Sequence, residues 1–112
     1  YRRGYNSRMN NEADSIYEFE WDDSKAAINL AKHKVSFDEG KTVFKDPFLV
    51  TFPDDLHSDV ENRLISIGMS EKRRLLLVVH VEKLEAVNFI LIHIISCRKA
   101  TPSERKMYEE NR

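Results

Sequence analysis

Apolar and polar residues alternate from Tyr17 to Trp21, the period-two pattern of a half-buried strand. A helix follows at once. Asp22 or Asp23 can cap it, and Ala26, Ala27, Leu30 and Ala31 recur at helical spacing, with Lys25, Asn29, Lys32 and His33 on the polar side. Ser36 with Glu39 reads as a capping box, and Phe37, Gly40, Val43 and Phe44 form the apolar face of a second short helix that ends at Asp46-Pro47. Leu49 to Phe52 is a short strand, and Pro53-Asp54-Asp55 leads into a polar loop through His57-Ser58 to Glu61.

Three β patterns come next. Arg63 to Met69 alternates, with Arg63, Ile65, Ile67 and Met69 on one face. Leu75 to Glu82 is nearly continuous in apolar residues but for His80, and Lys83 to Val87 is expected to turn. Asn88 to Arg98 is apolar on both faces, which predicts a strand buried on both sides. Strict alternation places Phe89, Leu91, Ile95 and Cys97 with His93, and Ile90, Ile92 and Ile94 with Ser96 and Arg98. Thr101 to Glu104 is another capping box with a proline at its start, so a helix from Ser103 to Asn111 closes the chain. The order β-α-α-β-β-β-β-α predicts an α+β fold: an antiparallel sheet with two N-terminal helices and a C-terminal helix. The early helices can cover one sheet face. The last helix offers only Met107 and Tyr108, so part of the other face should be covered by a second chain.

At 112 residues the pattern fits one domain, read here as residues 16–112 after an arm of 1–15 that lacks apolar periodicity. Met9 is the expected natural start. The single Cys97 cannot form an internal disulfide and fits a reducing cytoplasm, and no apolar run approaches a membrane span. The formal charge of −1 is unlike that of a generic nucleic-acid binder. Its distribution says more. Met9 to Ser70 carries 6 Lys/Arg against 13 Asp/Glu, and Glu71 to Arg112 carries 9 against 6. Such a chain suits a polyanion on one side and a basic partner on the other.

The four histidines are far apart and Cys97 has no Cys-x-x-Cys partner, so no metal or cofactor is expected; three glycines exclude a phosphate-cradling loop. What remains are polar residues set in apolar strands: Arg63, His80, His93, Ser96 and Arg98. RNA cleavage without metal needs a base, an acid and cations for the phosphorane, which His, Glu and Arg can supply. The competing reading makes His80 and His93 satisfied core or edge histidines. For Arg98, which precedes Lys99 and a capped helix, it is a salt bridge to Glu104 or to an Asp. Lys32 sits on what is otherwise a solvated stripe, and Trp21 and Tyr108 could stack on bases or belong to the core.

Phe19-Glu20-Trp21-Asp22 with Lys25, Asn29, Lys32-His33, Val35-Ser36-Phe37, Val43-Phe44 and Asp46-Pro47 resembles the BrnT toxins. So do His57-Ser58, Glu61, Arg63, Ile67-Gly68 and Ser70, and the tail Ile94-Ile95-Ser96-x-Arg98, Ala100-Thr101, Glu104-Arg105 and Tyr108. The resemblance implies a RelE-like fold, a ribonuclease that arrests translation, and a ribbon-helix-helix antitoxin of BrnA type that neutralises it and represses the shared operon. It carries over Lys32, His33, Glu61, Arg63, His80, Arg98 and Tyr108. The chain departs from the family at His93, where Arg is usual, at Cys97 in place of Ala, and in the apolar stretch Lys83 to Phe89. Unlike a guanidinium, an imidazole changes charge near neutral pH.

The expectation is a cytoplasmic, metal-independent endoribonuclease toxin. Glu61, Arg63, His80, His93 and Arg98 would do the chemistry, while Lys32, His33, Lys99 and Tyr108 would bind RNA. It would touch DNA only through the antitoxin and would not bind membranes. The alternative is a non-catalytic module that retains antitoxin binding and acts only in operon regulation.

Overall fold

A computed structural model describes the chain at residues 2–7 (backbone only), 16–56 and 62–111. The elements are strands β1 (Arg2–Ser7) and β2 (Ile16–Trp21), helices α1 (Asp23–His33) and α2 (Phe37–Gly40), a 3-10 turn (Lys41–Lys45), strands β3 (Val50–Pro53), β4 (Arg63–Met69), β5 (Leu75–Ala86) and β6 (Phe89–Lys99), and helix α3 (Pro102–Glu110). The fold is α+β. Its sheet runs β1-β2-β6-β5-β4-β3. An all-antiparallel sheet was expected, but β2 pairs with β6 in parallel and the sheet is mixed. The helices between β2 and β3 return the chain to the far edge, and β6, arriving last, slots in beside β2 in the same direction.

Local signals place the element ends. Asp22 accepts from the N–H groups of Ser24 and Lys25 at the start of α1, and Ser36 accepts from Glu39 N–H at the start of α2. Glu39 does not complete that box; its carboxylate takes Ser70 Oγ–H and the Arg74 guanidinium instead. At α3 both halves of the Thr101–Glu104 box form. The turn expected over Lys83 to Val87 is shorter. β5 continues to Ala86, and Val87-Asn88 makes a tight hairpin with Asn88 at φ 64°, a left-handed conformation that asparagine tolerates.

Two side-chain clusters lie on opposite sheet faces. One joins Phe19, Trp21, Leu76, Val78, Ile92, Ile94 and Cys97 to Phe37, Val43 and Phe44 of the α2 region. The other, under α3, is smaller: Ile67, Leu75, Leu77 and Tyr108. Cys97 belongs with Ile92 and Ile94, against the expected alternation. The cause is a register shift: Val79 faces Ser96 while His80 faces Ile94, so Ile95 is an extra residue, a bulge in β6. Beyond it every side chain changes face.

Helix α1 also departs from the reading of its stripe. Of the expected stripe Ala26 packs against the main cluster, but Ala27, Leu30 and Ala31 are exposed, Ile28 is 66% exposed, and the buried residue is Asn29. Its amide donates to Val35 O (3.0 Å) and Cys97 O (2.8 Å) and its oxygen accepts from Cys97 N (3.1 Å). Three hydrogen bonds to buried backbone outweigh the burial of two alanines and a leucine.

Candidate active site

Helix α3 covers only one end of its sheet face. Further along the same face, the pairings Arg63–Val81, Val81–His93 and Glu20–His93 align four strands, β4, β5, β6 and β2, in one cross-strand row. Arg63, His93 and Glu20 are all half-buried there. His93 Nδ1 lies 3.0 Å from Glu20 Oε2, with 29% and 16% of the two side chains exposed. The bulge at Ile95 brings Ser96 and Arg98 to this face, opposite Val79 and Leu77. Strict alternation had separated them from His93.

Arg98 is held in a fork. Its Nη1 and Nη2 donate to Glu104 Oε1 (2.8 Å) and Oε2 (2.9 Å), and Nη1 also donates to Lys99 O at 3.2 Å. The Glu104 hydrogen bonds raise the Arg98 pKa, and the same bonds lower that of Glu104. Three of its five N–H groups are so used, which leaves donors for a phosphate. The salt-bridge reading of Arg98 is therefore correct as geometry, and Glu104 both caps α3 and fixes the guanidinium on the face.

Other sequence candidates stand elsewhere. His80 is fully buried on the opposite face, where Nε2 shares a 2.7 Å hydrogen bond with Ser66 Oγ and the ring meets Phe44 edge-on. Burial pushes its pKa down to about 4. Nδ1 lies 3.5 Å from Glu82 Oε2 without a hydrogen bond. Tyr108 is 3% exposed and its hydroxyl donates to Asp46 Oδ2 at 2.6 Å, so its ring presents no stacking surface. Lys32 and His33 form the last turn of α1, which packs on β6 by way of Asn29 and Cys97, away from His93. Lys99 is exposed at the end of β6. Glu61 and His57-Ser58 lie outside the described residues.

The residue that sequence reasoning missed is Glu20. Alternation puts it on the polar side of a half-buried strand, whereas the parallel partner β6 lays His93 against it. The legible sign was an acid pair, Glu18 and Glu20, at two-residue spacing in an aromatic strand; Glu18 is only 3% exposed. Among the described residues no cluster of three or more His, Cys, Asp or Glu could hold a metal ion. The face offers a carboxylate, an imidazole and two guanidinium groups, the kinds of group that proton transfer and phosphate neutralisation require.

A family model described as "Ribonuclease toxin, BrnT, of type II toxin-antitoxin system" matches residues 21–104. No curated relative matches the chain. The crystal structure of the Brucella abortus ribonuclease toxin BrnT is similar in fold, with a TM-score of 0.54 and 24% identity over 74% of this chain and 95% of that one.

Proposed function

Because the chain belongs to the BrnT family of ribonuclease toxins of type II toxin–antitoxin systems, we propose that it cleaves RNA on the open sheet face, without a metal, and so arrests translation. The fold is then of the RelE-like kind, with residues 16–112 as the toxin domain, acting in the cytoplasm. The observation that carries this reading is the row of Arg63, His93 and Glu20 across four strands.

In this reading the pair of His93 and Glu20 accepts the proton of a ribose 2′-hydroxyl. The freed 2′-oxygen attacks the adjacent phosphorus, Arg63 balances the charge of the phosphorane, the remaining donors of Arg98 hold a neighbouring phosphate, and the imidazolium returns a proton to the departing 5′-oxygen. The products are a 2′,3′-cyclic phosphate and a 5′-hydroxyl. His80, enclosed in the core, takes no part.

The inhibitor is a ribbon-helix-helix antitoxin of BrnA type, through which alone the complex reaches DNA. Two features support a basic partner with an apolar surface: the acidic balance of Met9 to Ser70, and the exposed apolar residues of α1, Ile28 and Leu30.

The purified toxin, freed of antitoxin, should cleave single-stranded RNA in excess EDTA. His93→Ala and Glu20→Gln should each lower the rate by about 10²- to 10⁴-fold with the circular dichroism spectrum unchanged. Loss of cleavage in EDTA would remove the metal-free mechanism. Full activity of both variants would remove the row from the chemistry. Should induction without antitoxin leave growth and total RNA intact, the non-catalytic binding module becomes the right description.

A further inference from the structure

At the end of the sheet away from His93, the β4–β5 turn, the end of β6 and α3 enclose a cleft of about 280 Å³ lined by Arg73, Arg74, Leu75, Lys99, Ala100 and Arg105. Four of these six residues are cationic and none is acidic, in a chain of net charge −1. The cations are not equivalent. Arg74 is committed to the buried Glu39 through Nε and Nη2, which raises its pKa. Arg105 approaches only Glu109, at 4.0 Å and exposed, a contact of little strength. The side chains of Arg73 and Lys99 make no hydrogen bond or ion pair among the described residues.

The backbone adds a second, independent observation. Arg73 has φ 61°, in the left-handed region, where it closes the turn by donating its N–H to Ser70 O at 2.9 Å. Glycine adopts that conformation without the Cβ penalty. A strained arginine at the mouth of a cationic cleft points to its side chain as the reason for its presence.

We propose that this cleft is a phosphate subsite that grips the backbone of a single RNA strand several nucleotides from the bond that is cut. This rests on the ribonuclease reading and extends it. Lys99 lies six positions along β6 from His93, about 20 Å at strand rise, with Arg98 between them on the open face. A polyanion with regularly spaced charges can bridge that distance; a mononucleotide or dinucleotide cannot. Lys99, expected from sequence to bind RNA, thus gains Arg73 and Arg105 as companions.

The test uses the full-length toxin and two variants, Arg73→Gly and Arg73→Gly with Arg105→Ala. Binding is measured with a short single-stranded 2′-O-methyl RNA, which lacks the attacking hydroxyl, and cleavage with a dinucleotide and with a long RNA. Arg73→Gly should melt at the same or a higher temperature than the parent, because the turn is relieved. The double variant should bind the methylated strand about tenfold more weakly, and the slope of log K against log salt should fall in magnitude by about 1.4, two single-strand phosphate contacts. Long-RNA cleavage should show a raised KM, and dinucleotide cleavage should not change. If the parent cleaves RNA while the double variant keeps its affinity and salt slope, the subsite is overturned and the ribonuclease reading stands. A parent that cleaves nothing overturns both.

Discussion

His80 looks catalytic in the sequence, a lone imidazole in an apolar strand, and its surroundings make it a structural group instead. Ser66 bonds its Nε2 and in turn shares a 2.7 Å hydrogen bond with Thr51, so the ring is locked across three strands. Burial holds it neutral, with a pKa near 4 against 6.5 when exposed. The unfolded chain therefore binds the proton first. Stability should be full above pH 6.5 and fall as pH drops through the window from 6.5 to 4, by up to about 3 kcal/mol if no other group offsets it. The neighbouring Glu82 carboxyl, whose own pKa is raised by burial, will soften that loss while it is ionised. Urea unfolding at several pH values checks this, with His80→Gln as the control: its slope across the window should be flatter. An identical pH profile in that variant would show that His80 is not the responsible group.

At the scale of elements, α1 and β6 carry the larger lessons. Helix α1 is attached by a polar residue, since Asn29 satisfies the backbone of both Val35 and Cys97. Asn29→Ala should cost about 3 kcal/mol, because it strands buried backbone groups, and Asn29→Leu should not restore the loss despite its better apolar match. Thermal melting of the two variants decides between this account and ordinary apolar packing, under which leucine would rescue. In β6 a single extra residue, Ile95, turns Cys97 into the main core and delivers Ser96 and Arg98 to the face of His93. The site depends on that irregularity.

Across the whole molecule, the two layers are joined at Asp46. Its Oδ1 accepts from Phe48 N at 2.9 Å, and its Oδ2 accepts from Met69 N at 2.8 Å and from the Tyr108 hydroxyl at 2.6 Å. One carboxylate therefore ties the end of the 3-10 turn, the end of β4 and helix α3. Tyr108→Phe should destabilise by about 1–2 kcal/mol and speed hydrogen exchange in α3, with RNA affinity unchanged. Weaker RNA binding in that variant would instead point to an RNA contact of the hydroxyl, because phenylalanine keeps the ring that stacking would use.

Much of this molecule was legible before any fold was known. The strand from Arg63 to Met69, the caps Asp22, Ser36 and Thr101, and the charged residues Arg63, His93 and Arg98 follow from local rules, because caps and alternation involve neighbours a few residues apart. What only the tertiary structure decided is which of these residues meet. The parallel pairing of β2 with β6 brings together Glu20 and His93, 73 positions apart, and no period in the sequence announces a pairing between strands so distant. The bulge reverses the face of Ser96 and Arg98, since a slip of one residue in a two-residue period inverts every side chain beyond it. The sequence by itself thus determined the elements, their ends and the chemical groups available, whereas the long-range register decided that a carboxylate, an imidazole and two guanidinium groups would share one open face.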